Sequence, residues 1–452
     1  MKKKITIILF LFIILALGSQ GIHFVQGAEF LENILAVTGY TSSTRFFIET
    51  VDSANDTGQY ISVAIDQDSN DVYVSYYDNT EQNLRSATYV GSGGNCGVDN
   101  SWKCRTMDQA GNVGKYTSIA VNPQNNHIGI AYHDHDELAL QYTTGACYEP
   151  SCLWQLSTID IGSSLASEND GLYTSLVYQS DGRPAIAYYT SKLTGDDFLK
   201  LATYVGSGGN CGQDSAAGKW DCQIVASGNG VGKFASLALD SAEDRHIAYY
   251  DSGNDSLMYA NSIGGSYNSF EILSKEAGQY ASLAVDTDHG DARHIAHYDK
   301  ANNKLEYAKY VGSGGNCGYF FNEYRWQCDE IDDMGSEPSS PRGVDIAVDK
   351  AGYPIIAYGS AYALKVARPV EALGILVGNC GPVDLFYTWQ CDYINIPFSG
   401  KGQANYASIA VNSAGLWTSA YYGNFSKDTN DDGDMKVTYQ RLQLFLPLVT
   451  KK

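Results

Sequence analysis

The sequence predicts an all-β fold, a seven-bladed β-propeller of four-stranded antiparallel blades, closed by an N-terminal strand that completes the last blade. Three observations carry this prediction. One phrase of alternating small and apolar residues recurs seven times; further strand-like phrases follow each copy; and the last copy ends one strand short, with a matching strand left over near the N-terminus.

The first phrase reads GQYISVAID at Gly58–Asp66, GKYTSIAVN at Gly114–Asn122, GLYTSLVYQ at Gly171–Gln179 and GKFASLALD at Gly232–Asp240. It continues as GQYASLAVD at Gly278–Asp286, a degenerate RGVDIAVD at Arg342–Asp349 and NYASIAVN at Asn405–Asn412, at intervals of roughly 46 to 63 residues. Its near-continuous apolar character suits an inner strand packed on both faces. A short Gly/Asn/Asp turn then leads to a second phrase, ending at Asp78, Asp134, Thr190, Asp251, Asp299, Ser360 and Gly423 in the seven units. A third phrase follows, as in LRSATYV, LKLATYV and LEYAKYV. All alternate and are rich in β-branched and aromatic residues, so they read as strands joined by hairpins.

The fourth phrase usually opens on tryptophan, at Trp102, Trp154, Trp220, Trp326 and Trp389, with Ser269–Lys275 in its place in the fourth unit. The large indoles suit the outermost strands, where wedge-shaped gaps between blades are widest. The seventh unit has no fourth phrase, and FFIETVD at Phe46–Asp52 supplies one. Closure of this kind removes exposed sheet edges, whereas an open solenoid would need capping repeats instead of a split unit.

Ten cysteines fall into five local pairs, Cys96/Cys104, Cys147/Cys152, Cys211/Cys222, Cys317/Cys328 and Cys380/Cys391, each flanking the loop between third and fourth strands. Two sulfurs per loop do not make a four-ligand zinc site, so disulfides are expected. The phrase ATYVGSGGNCG, present at Ala87–Gly97 and Ala202–Gly212 and nearly so at Ala308–Gly318, then reads as scaffold, a glycine-rich hairpin end leading into a bridge. A phosphate loop would instead precede a helix.

Lys2–Lys4 and the apolar run Ile5–Leu17 have the form of a secretory signal, with small residues at Gly18 and Gly27 as two cleavage candidates. The expected organisation is a signal peptide at 1–27, a linker at 28–45, the propeller at 46–441 and a tail at 442–452. No membrane span is expected after signal removal, the location is extracellular or at the cell surface, and a monomer is expected. The net charge of −21 excludes nucleic acid as a natural partner and favours cations or basic partners.

Candidate site residues come from the face carrying the loops into the first strands. The repeat places Tyr60, Tyr116, Tyr173, Phe234, Tyr280 and Tyr406 there, close to the Tyr-Tyr-Asp ends of the second strands. Such aromatic and carboxylate groups could stack on sugars and accept their hydroxyls, although blade packing would also explain their repetition. Unit six breaks the pattern with Gly343 for tyrosine, Asp345 for serine and Gly359-Ser360 for Tyr-Asp, beside Arg342; unit five has His297 for a tyrosine. A pocket between units five and six is therefore expected, with Tyr280, His297, Arg342 and Asp345 as its ligand-binding residues.

Asp428, Asn430, Asp432, Gly433 and Asp434 resemble the first half of an EF-hand-type calcium loop, with Tyr439 where the last glutamate would stand, so Ca2+ is the expected cofactor. DQDSND at Asp66–Asp71 and DTDHGD at Asp286–Asp291 are read as turns, His133 and His135 as a weak metal pair, and His246 and His294 as equivalent packing residues.

The repeat Tyr-x-Ser-Ile/Leu-Ala followed by Ile-Ala-Tyr-Tyr-Asp resembles secreted bacterial propeller proteins loosely related to the sialidase and neuraminidase-repeat families, over about Phe46 to Arg441. It departs from true sialidases in lacking the Ser-x-Asp-x-Gly-x-x-Trp box and an arginine triad, which argues against sialidase activity. Two functions fit: a non-catalytic binding propeller for a glycan or an extracellular protein, or a polysaccharide-acting hydrolase or lyase, since paired carboxylates are invisible in sequence.

Overall fold

The computed structural model describes residues 43–148, 151–162, 168–212, 218–263, 265–274, 276–335, 343–360, 363–371, 378–382, 387–395, 403–424 and 433–443. Two units are distinguished, 48–439, which holds the blades apart from the ends of two blade 7 strands, and 1–47 with 440–452. The expected signal peptide and most of the expected linker and tail lie outside the described residues.

Blade 1 runs outward through Thr57–Ile65, Val72–Asp78, Asn83–Tyr89 and Trp102–Asp108, each strand antiparallel to the next. Blades 2 to 6 repeat this order. Blade 7 comprises Gln403–Val411, Trp417–Asn424 and Asp434–Gln443, and its outermost position is taken by Ser43–Asp52, as the split repeat requires. Blade 5 departs from four strands: Cys317–Phe320 adds a short fifth strand beside Glu323–Asp333.

Neighbouring blades share hydrophobic clusters. Trp102 is buried with Val51 and Met435 between blades 1 and 7, and Trp389 is buried with Tyr307 and Tyr358 between blades 5 and 6. Deleting an indole from such a site costs roughly 3–5 kcal/mol, so the outer tryptophans are a principal part of blade-to-blade adhesion. Polar locks add to it. Tyr76, Tyr132, Tyr188 and Tyr358, all at one second-strand position, donate to Asp52, Asp108, Asp160 and Asp332 at the end of the preceding blade's outer strand, at 2.5–2.7 Å.

Four disulfides are formed, Cys96–Cys104, Cys211–Cys222, Cys317–Cys328 and Cys380–Cys391. The side chains of Cys147 and Cys152 lie outside the described residues. The rest of the copied phrase has a purpose that the sequence left open. Asn95 receives the Cys104 N–H at 2.7 Å and donates to the Cys104 carbonyl at 3.0 Å, and Asn210, Asn316 and Asn379 do the same at the other three bridges. The glycine after the first cysteine donates its N–H to the previous blade, as from Gly97 to Val51 O at 2.9 Å and from Gly212 to Ile159 O at 2.8 Å. At Gly318, with φ of 62°, a Cβ would stand 2.4 Å from Trp326 Cδ1, so only glycine lets the indole close.

Candidate functional site

The first strands converge on a central channel, and their sequence sets its lining. Tyr60, Tyr116, Tyr173, Phe234, Tyr280 and Tyr406 all adopt φ of 50–55°, a left-handed conformation that costs an L-residue about 1–2 kcal/mol. Six blades shift register there, and the kink swings each ring toward its neighbour. The ring centroids follow one another at 4.5 Å (Tyr60–Tyr116), 4.6 Å (Tyr116–Tyr173), 4.5 Å (Tyr173–Phe234) and 4.5 Å (Phe234–Tyr280), and Tyr406–Tyr60 adds 4.8 Å. Burial raises the Tyr60 hydroxyl and pushes that of Tyr173 up to about 12, so these phenols stay protonated.

Beneath the aromatics runs a belt of blade-to-blade hydrogen bonds. Val63 N–H donates to Ser408 Oγ (3.1 Å), Ile119 to Ser62 (3.2 Å), Leu176 to Ser118 (2.9 Å), Leu237 to Ser175 (2.9 Å), Leu283 to Ser236 (2.9 Å) and Ile346 to Ser282 (3.2 Å). The seventh link, from Ile409 N–H at 2.8 Å, ends on Asp345 Oδ2. The carboxylate also accepts from Ser408 Oγ (2.9 Å), Ser282 Oγ (2.6 Å) and its own strand at Ile346 N (3.0 Å), tying blades 5, 6 and 7 together. Burial raises its affinity for a proton above the ordinary carboxylate's, and these four donors oppose that shift. The aromatics and the belt line an open cavity of about 230 Å³.

Among the residues predicted for a pocket between units five and six, the structure brings Tyr280 and Asp345 to this channel. His297 is fully buried behind it, where Nδ1 accepts from Gly278 N at 3.2 Å and Nε2 lies 3.4 Å from Glu306 Oε2. Arg342 lies outside the described residues. The space expected from Gly343 and Gly359 is filled by blade 7: a Cβ on Gly343 would stand 2.1 Å from Ala407 N, and one on Gly359 2.1 Å from Ala404 O. Losing two side chains let the neighbouring strand move in instead of opening a cleft.

The second-strand carboxylates are likewise committed. Asp78, Asp134 and Asp251 are buried and accept the N–H groups two and three residues further on, as does Asp299 from Asn302, capping their own turns. Asp66 and Asp286 cap turns in the same way. His133 is buried on the Asp170 carbonyl at 2.9 Å, with its basicity pushed down to about 4 by burial. His246 and His294 each hydrogen-bond a tyrosine of the adjacent third strand, Tyr259 and Tyr307. No group of three or more His, Cys, Asp or Glu side chains suited to a metal occurs among the described residues. Asp428, Asn430 and Asp432 lie outside them, and Asp434 Oδ2 pairs with Lys436 Nζ at 3.1 Å.

A larger cavity, about 440 Å³, opens between blades 2 and 3 on the side of the first-to-second-strand turns. Its aromatic lining comprises Tyr142, Tyr178, Tyr204 and Trp220, with Tyr142 and Trp220 centroids 5.4 Å apart and Tyr204 and Trp220 also 5.4 Å apart. Its polar lining includes Asn125, Gln155, Ser157, Arg183 and Lys219. Gly129 stands where the other second strands carry Tyr73, Ala185, His246, His294, Ile355 and Thr418, and a Cβ there would lie 2.2 Å from Tyr178 OH. Its absence admits the paired hydroxyls of Tyr142 and Tyr178, 2.6 Å apart. That glycine is the visible sign in the sequence of the contact between the two tyrosines.

One carboxylate, Asp181, lines this cavity among the described residues, and it is bound to the Arg183 guanidinium at 2.6 Å. The arrangement offers flat apolar rings beside donors and acceptors, and its volume lies in the range of small-molecule sites.

No family model matches the chain, and no curated protein matches it. Solved structures similar to it include AofleA from Arthrobotrys oligospora, at 11% identity over 72% of this chain and 86% of that one, TM-score 0.44. The GH93 alpha-L-arabinofuranosidase of Fusarium graminearum is 10% identical over 87% and 97%, TM-score 0.45. The NanB sialidase from Streptococcus pneumoniae is 9% identical over 86% and 69%, TM-score 0.41. Likenesses of this size assign no activity to the chain.

Proposed function

We propose that the protein is a secreted or cell-surface, non-catalytic propeller that binds a glycan in the cavity between blades 2 and 3. The observation that carries this is the lining itself: four aromatic side chains and several uncharged polar groups around a space of about 440 Å³. Sugars present both apolar C–H faces and hydroxyls, and such walls answer both. Glycoside hydrolysis by the usual route needs two carboxylates astride the bond, and among the described residues Asp181 lines the cavity without a second and is held by Arg183. Binding without turnover is therefore favoured over the hydrolase alternative. Four disulfides support an oxidising location.

A glycan array run beside a reducing-sugar release assay tests the proposal. Binding without product is expected, with affinity falling about tenfold or more in Gln155→Ala/Ser157→Ala, because two exposed or half-exposed hydrogen-bonding groups of the wall are removed without touching the core. Product release, or binding indifferent to the double substitution, would overturn it. Calcium binding by Asp428–Asp434 is proposed separately, and a calorimetric titration with no heat of binding would remove it.

A further inference from the structure

The phrase between the first cysteine and the tryptophan differs among the blades. Blade 1 has Val98-Asp99-Asn100-Ser101 after Gly97, and blade 3 has small and polar residues at 213–219, whereas blade 5 reads Tyr319-Phe320-Phe321-Asn322-Glu323-Tyr324-Arg325. These residues form the extra hairpin, with Tyr319 opposite Tyr324 and Phe320 opposite Glu323. Because side chains alternate across a strand pair, the two tyrosines share one face and Phe320 takes the other.

The Phe320 face is anchored. Its ring centroid lies 4.0 Å from that of Phe270 on blade 4's outer strand and 4.0 Å from that of Phe321, and the Arg325 guanidinium sits 5.9 and 5.8 Å from the Phe320 and Phe321 rings. Cys317–Cys328 ties down the root of the hairpin. The opposite face is not covered: Tyr319 is 60% exposed, Tyr324 48% and Phe321, at the tip, 75%. Phe321 and Asn322 hold left-handed φ of 49° and 63°, a turn for which phenylalanine is a costly choice over glycine or asparagine. A bulky ring is thus held in water by a strained turn on a braced hairpin.

We infer that this hairpin is a second carbohydrate contact, an exposed aromatic patch, its two tyrosine rings 5.0 Å apart and inclined at 60°, for an extended, uncharged polysaccharide chain. The chemistry of the patch selects this occupant. Its exposed apolar groups are all aromatic, and two carry phenol hydroxyls, which fits stacking on pyranose C–H faces with hydrogen bonds at the ring edges. A net charge of −21 repels a second copy of the chain and an anionic membrane, but it places no penalty on a neutral polymer. The bracing keeps the ordering cost of binding small. The class of ligand rests on the glycan-binding function proposed above, but no residue is shared with the cavity between blades 2 and 3.

Co-sedimentation of the full chain with regenerated cellulose, insoluble xylan and chitin tests the inference, comparing wild type, Tyr319→Ala/Phe321→Ala/Tyr324→Ala and the cavity variant Gln155→Ala/Ser157→Ala. All three substituted hairpin residues are exposed, and an unchanged unfolding midpoint verifies folding. At least one polymer should retain wild type and cavity variant alike, with the partition coefficient of the hairpin variant reduced tenfold or more. Retention of wild type on none of the three, or equal retention of the hairpin variant, would overturn the inference. So would hairpin-dependent binding to phosphatidylcholine vesicles or hairpin-dependent dimerisation with no polymer retention. Failure of the cavity alone would show instead as lost binding of soluble oligosaccharides with polymer retention intact.

Discussion

Asp345 Oδ2 accepts the Ile409 N–H at 2.8 Å, making a carboxylate the seventh member of a belt otherwise built from serine hydroxyls. Its four hydrogen bonds join three blades, so Asp345→Ala leaves Ser282, Ser408 and Ile409 with unmet groups at 1–3 kcal/mol apiece at most. Relief of a buried charge offsets part of this, and a net loss of roughly 2–5 kcal/mol is expected from urea unfolding. Asp345→Ser, which restores the acceptor used in the other six blades, should lose less than half as much.

The pair His297 and Glu306 should give opposite pH slopes when separated. Burial first, then Asp299 and Glu330, pushes the Glu306 carboxyl up to about 7, and burial pushes His297 down to about 4. The stabilising contribution of uncharged Glu306 is full below the ordinary glutamate value of about 4.5 and is lost as pH rises through 7. That of uncharged His297 is full above about 6.5 and is lost as pH falls through 4. The two nearly cancel in the wild type between those limits. Glu306→Gln should gain about 3 kcal/mol relative to wild type between pH 4.5 and pH 8, read from denaturant midpoints across that range.

Each disulfide closes a small loop, 11 residues in three of the four described. Cys211→Ser/Cys222→Ser should therefore lower stability by about 2.5–3 kcal/mol, with the loss reproduced in part by reductant acting on the wild type. The Asn210 clamp on Cys222 remains and should keep the hairpin in register, visible as unchanged near-ultraviolet circular dichroism of Trp220.

Gly318→Ala should be more harmful than its size implies. Its Cβ would meet Trp326 Cδ1 at 2.4 Å from a backbone at φ 62°, so either the indole leaves its interblade slot or the bridge distorts. A loss of roughly 2–4 kcal/mol is expected, whereas Gly314→Ala, with nothing within 4 Å of its Cβ, should cost only the backbone strain of about 1–2 kcal/mol. Thermal unfolding of the two variants side by side checks the difference.

Seven copies of the first-strand phrase, five of them reading Tyr-x-Ser, with five tryptophan-led phrases and one misplaced strand, fix the blade number, the strand order and the closure, because each repeat must bury its faces against the next and so must carry the same pattern. Four of the five cysteine pairs follow from that register; the side chains of the fifth, Cys147 and Cys152, lie outside the described residues. Where the pattern's exceptions lead is settled by packing between blades. Gly343 and Gly359 look like a vacated site in sequence, yet the backbone at Ala404–Ala407 occupies the space, since a packed interior closes over lost volume wherever a neighbouring strand can approach. Gly129 looks like a single drift, yet Tyr142 and Tyr178 come from different blades to meet above it, and no spacing along the chain records that meeting.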